Sequence, residues 1–285
     1  MNHIFARRLE RHRRRSRKHR ARASTSVVVL CVAFPLLFGA PSLLTTATAA
    51  SVRARPARPV TRSRRTYGIA QPTRAHPLTI LVIGDSLGLD LQYGMSQVLG
   101  PDPLTHVVED AVGDTGLTKP SYYDWATALS AEIGSVHPKL VVVMLGANDW
   151  QGMEVTSGPT QPGTTIWIRN YNARVTGLMS EATAKGVRVL WVGLPIMGSP
   201  TFSSDMATLN AIYLAQARDH DGVWFIPTWK LFSTSAGAYS EYLPIGGHLV
   251  QVRDADGVHV DPPDGTELLG RYAVERIDSI WHIHI

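Results

Sequence analysis

The chain has 285 residues, 44% of them hydrophobic, with 28 Lys/Arg, 23 Asp/Glu and a formal net charge of +5. That length suits one good-sized domain or at most two. The basic balance would suggest a nucleic-acid partner, but residues 1–77 hold 17 basic side chains and one acid, whereas 78–285 hold 11 basic and 22 acidic ones. An acidic folded part has little with which to neutralise phosphates, which argues against nucleic-acid binding.

The N-terminus accounts for the segregation. "ARRLERHRRRSRKHRAR" is followed by the apolar run "SVVVLCVAFPLLFGAPSLL" and by "TTATAA", which offers a small-x-small site at Ala47-Thr48-Ala49. Residues 1–50 read as a secretory signal peptide. The apolar run approaches the ~20 residues of a membrane span, so an uncleaved anchor is the alternative. Either implies export, as a secreted, periplasmic or envelope-associated protein. Cys31, the only cysteine, lies in that run. The rest of the chain therefore has no disulfide, thiolate metal site or cysteine nucleophile. Residues 51–77, rich in Arg and Pro, read as an extended linker. Its charge is either a solvated spacer or a contact for anionic lipid or cell-wall polymer.

From residue 78 short apolar runs alternate with amphipathic segments. Strands are expected at Leu78–Ile83, Thr105–Glu109 and Lys139–Leu145, then from Val187 ("VRVLWVG") and from Gly222 ("GVWFIP"). Helices are expected at Ser86–Leu99, Tyr122–Ile133, Ile166–Ala184, Asp205–Arg218 and Thr266–Ile280. Continuous apolar strands alternating with helices imply a parallel sheet covered on both faces. Such sheets place their sites beyond the carboxyl ends of the strands, near a topological switch point.

The strand ends hold chemistry. Gly84-Asp85-Ser86 follows the first strand, and "DAVGDTGL" with Gly113 and Gly116 follows the second. Gly146-Ala147-Asn148-Asp149-Trp150 follows the third, and Asp256-Gly257-Val258-His259 comes well after the fifth. These are parts for acyl transfer. A serine hydroxyl needs a base to take its proton, and a histidine serves near neutral pH. An aspartate on the other ring nitrogen fixes its tautomer, and amide donors hold the oxyanion. Each element alone also has a plainer reading: Ser86 as a helix cap, Asn148-Asp149 as a turn, Asp256 as a loop cap.

Taken in order, these blocks resemble the SGNH (GDSL-type) hydrolase superfamily, over about residues 78–281. The wording is closer to a branch of exported bacterial members. The resemblance implies a three-layer α/β/α, flavodoxin-like fold with a central five-stranded parallel sheet. It implies ester hydrolysis or acyl transfer without metal or cofactor. Ser86 would be the nucleophile, with Asp256 and His259 completing a triad. Ser86, Gly113 and Asn148 would form the oxyanion hole, with Gly116 fitting nearly as well as Gly113. Expected substrates are acyl esters, including O-acetyl groups on cell-envelope carbohydrate. The alternatives are an O-acyltransferase with the same triad and a non-catalytic cell-wall carbohydrate-binding module. Segments 150–165 and 234–253 exceed a minimal member.

Trp150, Gln151 and Met197 are candidate substrate contacts; ordinary packing is their plainer role. Arg253 would meet an anionic substrate or pair with a neighbouring acid. No metal-ligand spacing appears.

Overall fold

A computed structural model of the chain describes residues 68–285. The expected signal or anchor segment and most of the expected linker lie outside the described residues. No described helix is long and apolar enough to cross a membrane.

Five strands form the central sheet: β1 (Leu78–Gly84), β2 (Thr105–Glu109), β3 (Leu140–Met144), β6 (Arg188–Val192) and β7 (Val223–Ile226). They lie in the order β2-β1-β3-β6-β7, and every pairing is parallel. All of β3 is buried, as its unbroken apolar sequence requires of a strand covered on both faces. The order reverses between β1 and β3: the chain goes outward from β1 to β2, then back across to β3. That reversal is the switch point.

The helices are α1 (Ser86–Leu99), α2 (Trp125–Val136), α3 (Thr165–Ala184), α4 (Pro200–Asp219) and α5 (Asp264–Trp281). They cover the sheet on both sides in a three-layer α/β/α arrangement, in which α1 packs on α5 and α3 packs on α2 and α4. The α1–α5 crossing is backbone on backbone. A Cβ on Gly94 would lie 1.8 Å from Thr266 O, and one on Gly270 would lie 2.2 Å from Gly94 C. Only glycine permits that approach.

Two helix starts differ from expectation. Helix α2 begins at Trp125 rather than Tyr122, because Asp124 caps it by accepting from Ala126 and Thr127 N–H. Helix α4 begins at Pro200 rather than Asp205, because Ser199 caps it and proline suits the first helical position. The long segments hold two hairpins that hydrophobic periodicity did not reveal. These are β4 (Met153–Val155) with β5 (Gly158–Thr160), and β8 (Tyr242–Ile245) with β9 (His248–Gln251).

The chain also joins the domain before residue 78. Ile69 packs against the core. Gln71 Nε2 donates to His282 O at 2.5 Å, and its Oε1 accepts from His284 N at 3.4 Å. The last part of the basic segment thus lies along the C-terminal tail.

Candidate active site

Asp85 and Ser86 sit where β1 hands over to α1. The cap of α1 is Asp85, whose Oδ1 accepts from Leu87 N at 2.9 Å. Ser86 is the first helical residue, so its hydroxyl is not the capping group. It is partly exposed and makes no hydrogen bond among the described residues. It stands at the positive end of a 14-residue helix.

Asp85 also spans the switch point. Its Oδ2 accepts from Gly146 N and Ala147 N, both at 2.8 Å. One fully buried carboxylate therefore fixes the turn after β1 against the turn after β3. Burial raises its pKa to about 6, with the nearby Asp149 adding to the rise and the three backbone N–H groups opposing it.

Asn148 follows in the β3 turn. Its Nδ2 donates to Thr115 O at 2.9 Å, which leaves the second amide hydrogen for another acceptor. Asp149 is buried behind it. Its Oδ1 accepts from Thr118 N and Oγ1 at 2.9 and 3.0 Å, and its Oδ2 accepts from Tyr171 OH at 2.8 Å. The loop after β2 is thereby bolted to the β3 turn. Gly116 is part of this joint: a Cβ there would lie 2.3 Å from Asp149 Oδ1. Gly116 thus has a packing role of its own. Gly113 lies in the half-buried turn that Val112 N ties to Gly84 O at 2.8 Å.

Asp256 and His259 come together in the loop before α5. His259 Nδ1 and Asp256 Oδ2 are 2.6 Å apart. Asp256 Oδ1 accepts from Val258 N at 2.8 Å and from His259 N at 3.0 Å. Burial opposes the Asp256 charge, but these bonds outweigh it and hold the carboxyl well below the usual range. Burial likewise disfavours charged His259. The Asp256 bond and the fields of Asp90, Asp256 and Asp85 outweigh that and raise its pKa. With Asp256 ionised, the ring proton belongs on Nδ1, which leaves Nε2 as the acceptor.

Two further residues hold this loop: Asp90, which the sequence did not single out, and Arg253, whose partners differ from both roles expected of it. Asp90, one turn along α1 from Ser86, accepts from Val260 N through Oδ2 at 2.9 Å. It ties the serine's helix directly to the residue after His259. Arg253 is fully buried, and its hydrogen bonds go to carbonyl oxygens rather than to a carboxylate. They reach Ile196 O at 2.5 Å, Val258 O at 2.8 Å and His259 O at 3.2 Å. The guanidinium lies 5.4 and 5.3 Å from the Phe232 and Tyr239 ring centres. Burial lowers its pKa to about 10, so it stays charged at neutral pH. Its three carbonyl bonds shape the backbone around His259.

The three candidate substrate contacts separate. Gln151 lines a cavity of about 410 Å³ together with Asn148 and the loop from Asp114 to Tyr122. Trp150 packs edge-on against Trp167, 5.2 Å between ring centres, outside that lining. Met197 is 1% exposed, with its sulfur 3.5 Å from Arg253 Nη2, so it buttresses the loop from behind. Among the described residues, no group of three or more His, Cys, Asp or Glu is placed to hold a metal ion.

Comparison with protein families matches residues 79–276 to the family described as "Protein of unknown function (DUF459)". The chain belongs to this family. The DUF459 match runs from β1 into α5 and so spans Ser86, Asn148, Asp256 and His259. Comparison with curated proteins gives no match. Among solved structures, a protein described as an acylhydrolase from Bacteroides fragilis aligns over 78% of this chain and 97% of its own. The TM-score is 0.50 and the identity 14%. A GDSL-like lipase from Bacteroides thetaiotaomicron aligns over 74% and 92%, with TM-score 0.50 and identity 15%. The DUF459 domain thus has the SGNH (GDSL-type) hydrolase fold.

Proposed function

We propose that the protein is an exported serine esterase that cleaves carboxylic esters through an acyl-enzyme. The observation that carries the reading is the 2.6 Å contact between His259 Nδ1 and Asp256 Oδ2, in a loop tied to the serine's helix. Ser86 Oγ attacks the ester carbonyl carbon while His259 Nε2 takes its proton. Asp256 holds the imidazole and stabilises the imidazolium. The oxyanion is received by the free Asn148 amide hydrogen and by the backbone N–H groups of Ser86 and Gly113. Each such donor is worth about 2.7–4 kcal/mol. On collapse the alcohol leaves with the proton from His259. Water then adds to the acyl carbon, giving its proton to His259, and Ser86 is released with the carboxylic acid. Ser86 Oγ lacks a hydrogen bond to His259 here, and such pairs commonly tighten only around substrate.

The substrates that suit this reading are acyl esters of cell-envelope carbohydrate, O-acetyl groups among them. An O-acyltransferase would use the same triad with a sugar hydroxyl replacing water. Slow hydrolysis that quickens when a polysaccharide acceptor is added would identify it. Turnover of an aryl acetate by the wild type and by Ser86→Ala, His259→Ala and Asp256→Asn tests the reading. Ser86→Ala and His259→Ala are expected to lose turnover to a similar degree, because triad members act as a unit. Turnover retained in Ser86→Ala would refute it, and an inert wild type with a folded domain would favour a carbohydrate-binding module instead.

A further inference from the structure

The cavity beside Asn148 has a wall that is already fixed. Thr115 Oγ1 accepts from Trp125 Nε1 at 3.1 Å and donates to Val112 O at 2.6 Å. Thr118 is bound to Asp149, and Arg174 Nη1 donates to Leu117 O at 2.6 Å. Lys119 O accepts from Tyr122 N at 2.9 Å and Tyr123 N at 3.2 Å, which sets Tyr122 at the rim. On this pinned loop the side chains of Asp114, Lys119 and Tyr122 make no hydrogen bond among the described residues, and all three line the cavity. Asp114 adopts φ 65, uncommon for a residue other than glycine. Tyr122 is 66% exposed.

This chemistry does not suit a fatty acyl chain. Burying one here would strip water from a carboxylate, an ammonium and several hydroxyl and amide groups without replacing their hydrogen bonds. It suits a hydroxylated ring, with Lys119 donating to ring oxygens, Asp114 accepting from hydroxyls, and the Tyr122 face covering the C–H surface. The volume lies within the range of about 300–1,000 Å³ common for small-molecule sites. Asn148 lines the same cavity, so a ring held here lies beside the residue assigned above to the oxyanion. We infer that the cavity is the subsite for the sugar alcohol half of the ester, with Lys119, Tyr122 and Asp114 setting specificity; this rests on the ester-cleaving reading above.

The test compares p-nitrophenyl acetate with O-acetylated methyl glucoside and O-acetylated methyl N-acetylglucosaminide. Lys119→Met and Tyr122→Ala, both at exposed positions, are expected to raise KM for a sugar ester by roughly tenfold or more. kcat on the sugar ester and kcat/KM on p-nitrophenyl acetate should stay within about twofold. Equal loss on both classes, or no change on the sugar esters, overturns the subsite. An NMR titration of wild type and both variants with the two unacetylated methyl glycosides separates the subsite from catalysis. Saturable binding that weakens in the variants upholds the subsite even if the protein turns over nothing. Absence of binding to either glycoside overturns it even if p-nitrophenyl acetate is cleaved.

Discussion

Asp256 holds His259 through its ring and its backbone N–H, and Arg253 holds it through its carbonyl. Because the His259 pKa is raised above 6.5, kcat/KM for an ester is expected to climb with pH through a point above 6.5 and then level, since only the neutral ring accepts the serine proton. In Asp256→Asn the hydrogen bond and charge that raise it are gone. The acidic limb should move to lower pH, and the plateau should fall by about 10⁴. An unmoved limb in a pH–rate profile would show that another group supports the histidine. Arg253→Met strips the donors from Ile196, Val258 and His259 carbonyls and is expected to destabilise the fold by about 3 kcal/mol or more, read from urea denaturation. Ser86, Asn148, Asp256 and His259 stood out in the sequence as candidates because each polar block stands beyond an apolar run or near the chain end. Asp90 and the proposed Lys119–Tyr122 subsite did not, and Arg253 stood out as a contact for an anionic substrate or a neighbouring acid rather than as a brace for carbonyl groups. Their roles depend on partners 170 residues away, as for Asp90 with Val260, or on a cavity that only the folded loops enclose.

The elements divide by how much of their stability is local. Buried strands such as β3 declare themselves, since apolar side chains on both faces are what a covered parallel strand needs. The hairpins did not, because "MEV", "GPT" and "YLPI" are too short and too poor in alternation to read as strands. Ser199-Pro200 before α4 is a start signal that a closer reading of caps would have caught. The α1–α5 crossing has the clearest consequence. Gly270→Ala forces apart the helix that begins at Ser86 and the helix that follows the His259 loop, and is expected to cost about 1–3 kcal/mol or more. Gly177→Ala, on α3 with no atom within 4 Å of the added Cβ, is expected to stabilise by about 0.5–1 kcal/mol. Thermal denaturation of both variants checks the contrast in sign.

The whole domain carries a pH signature from its buried carboxylates. Asp85 is protonated more readily in the folded state, near 6 against 3.8, so its ionisation subtracts about 3 kcal/mol of stability as pH rises through that interval. Asp149, also raised by burial, adds in the same direction. The raised pKa of His259 gives stability that is complete below 6.5 and lost as pH rises through its folded value. Asp256 works oppositely, its contribution present above about 4 and lost in acid. Stability measured by denaturation is therefore expected to be greatest in mild acid and to decline towards pH 8. The reach of the domain back to Gln71 predicts that Gln71→Ala, which returns His282 O and His284 N to water, lowers stability by only about 0.5 kcal/mol. The central claim is that Ser86 is a nucleophile activated within this fold, and its most direct test is covalent. Intact-mass and peptide mass spectrometry after exposure to a fluorophosphonate should show one adduct per chain, located on Ser86 and absent from Ser86→Ala. No adduct on a folded wild-type domain, or one that persists in Ser86→Ala, would contradict it.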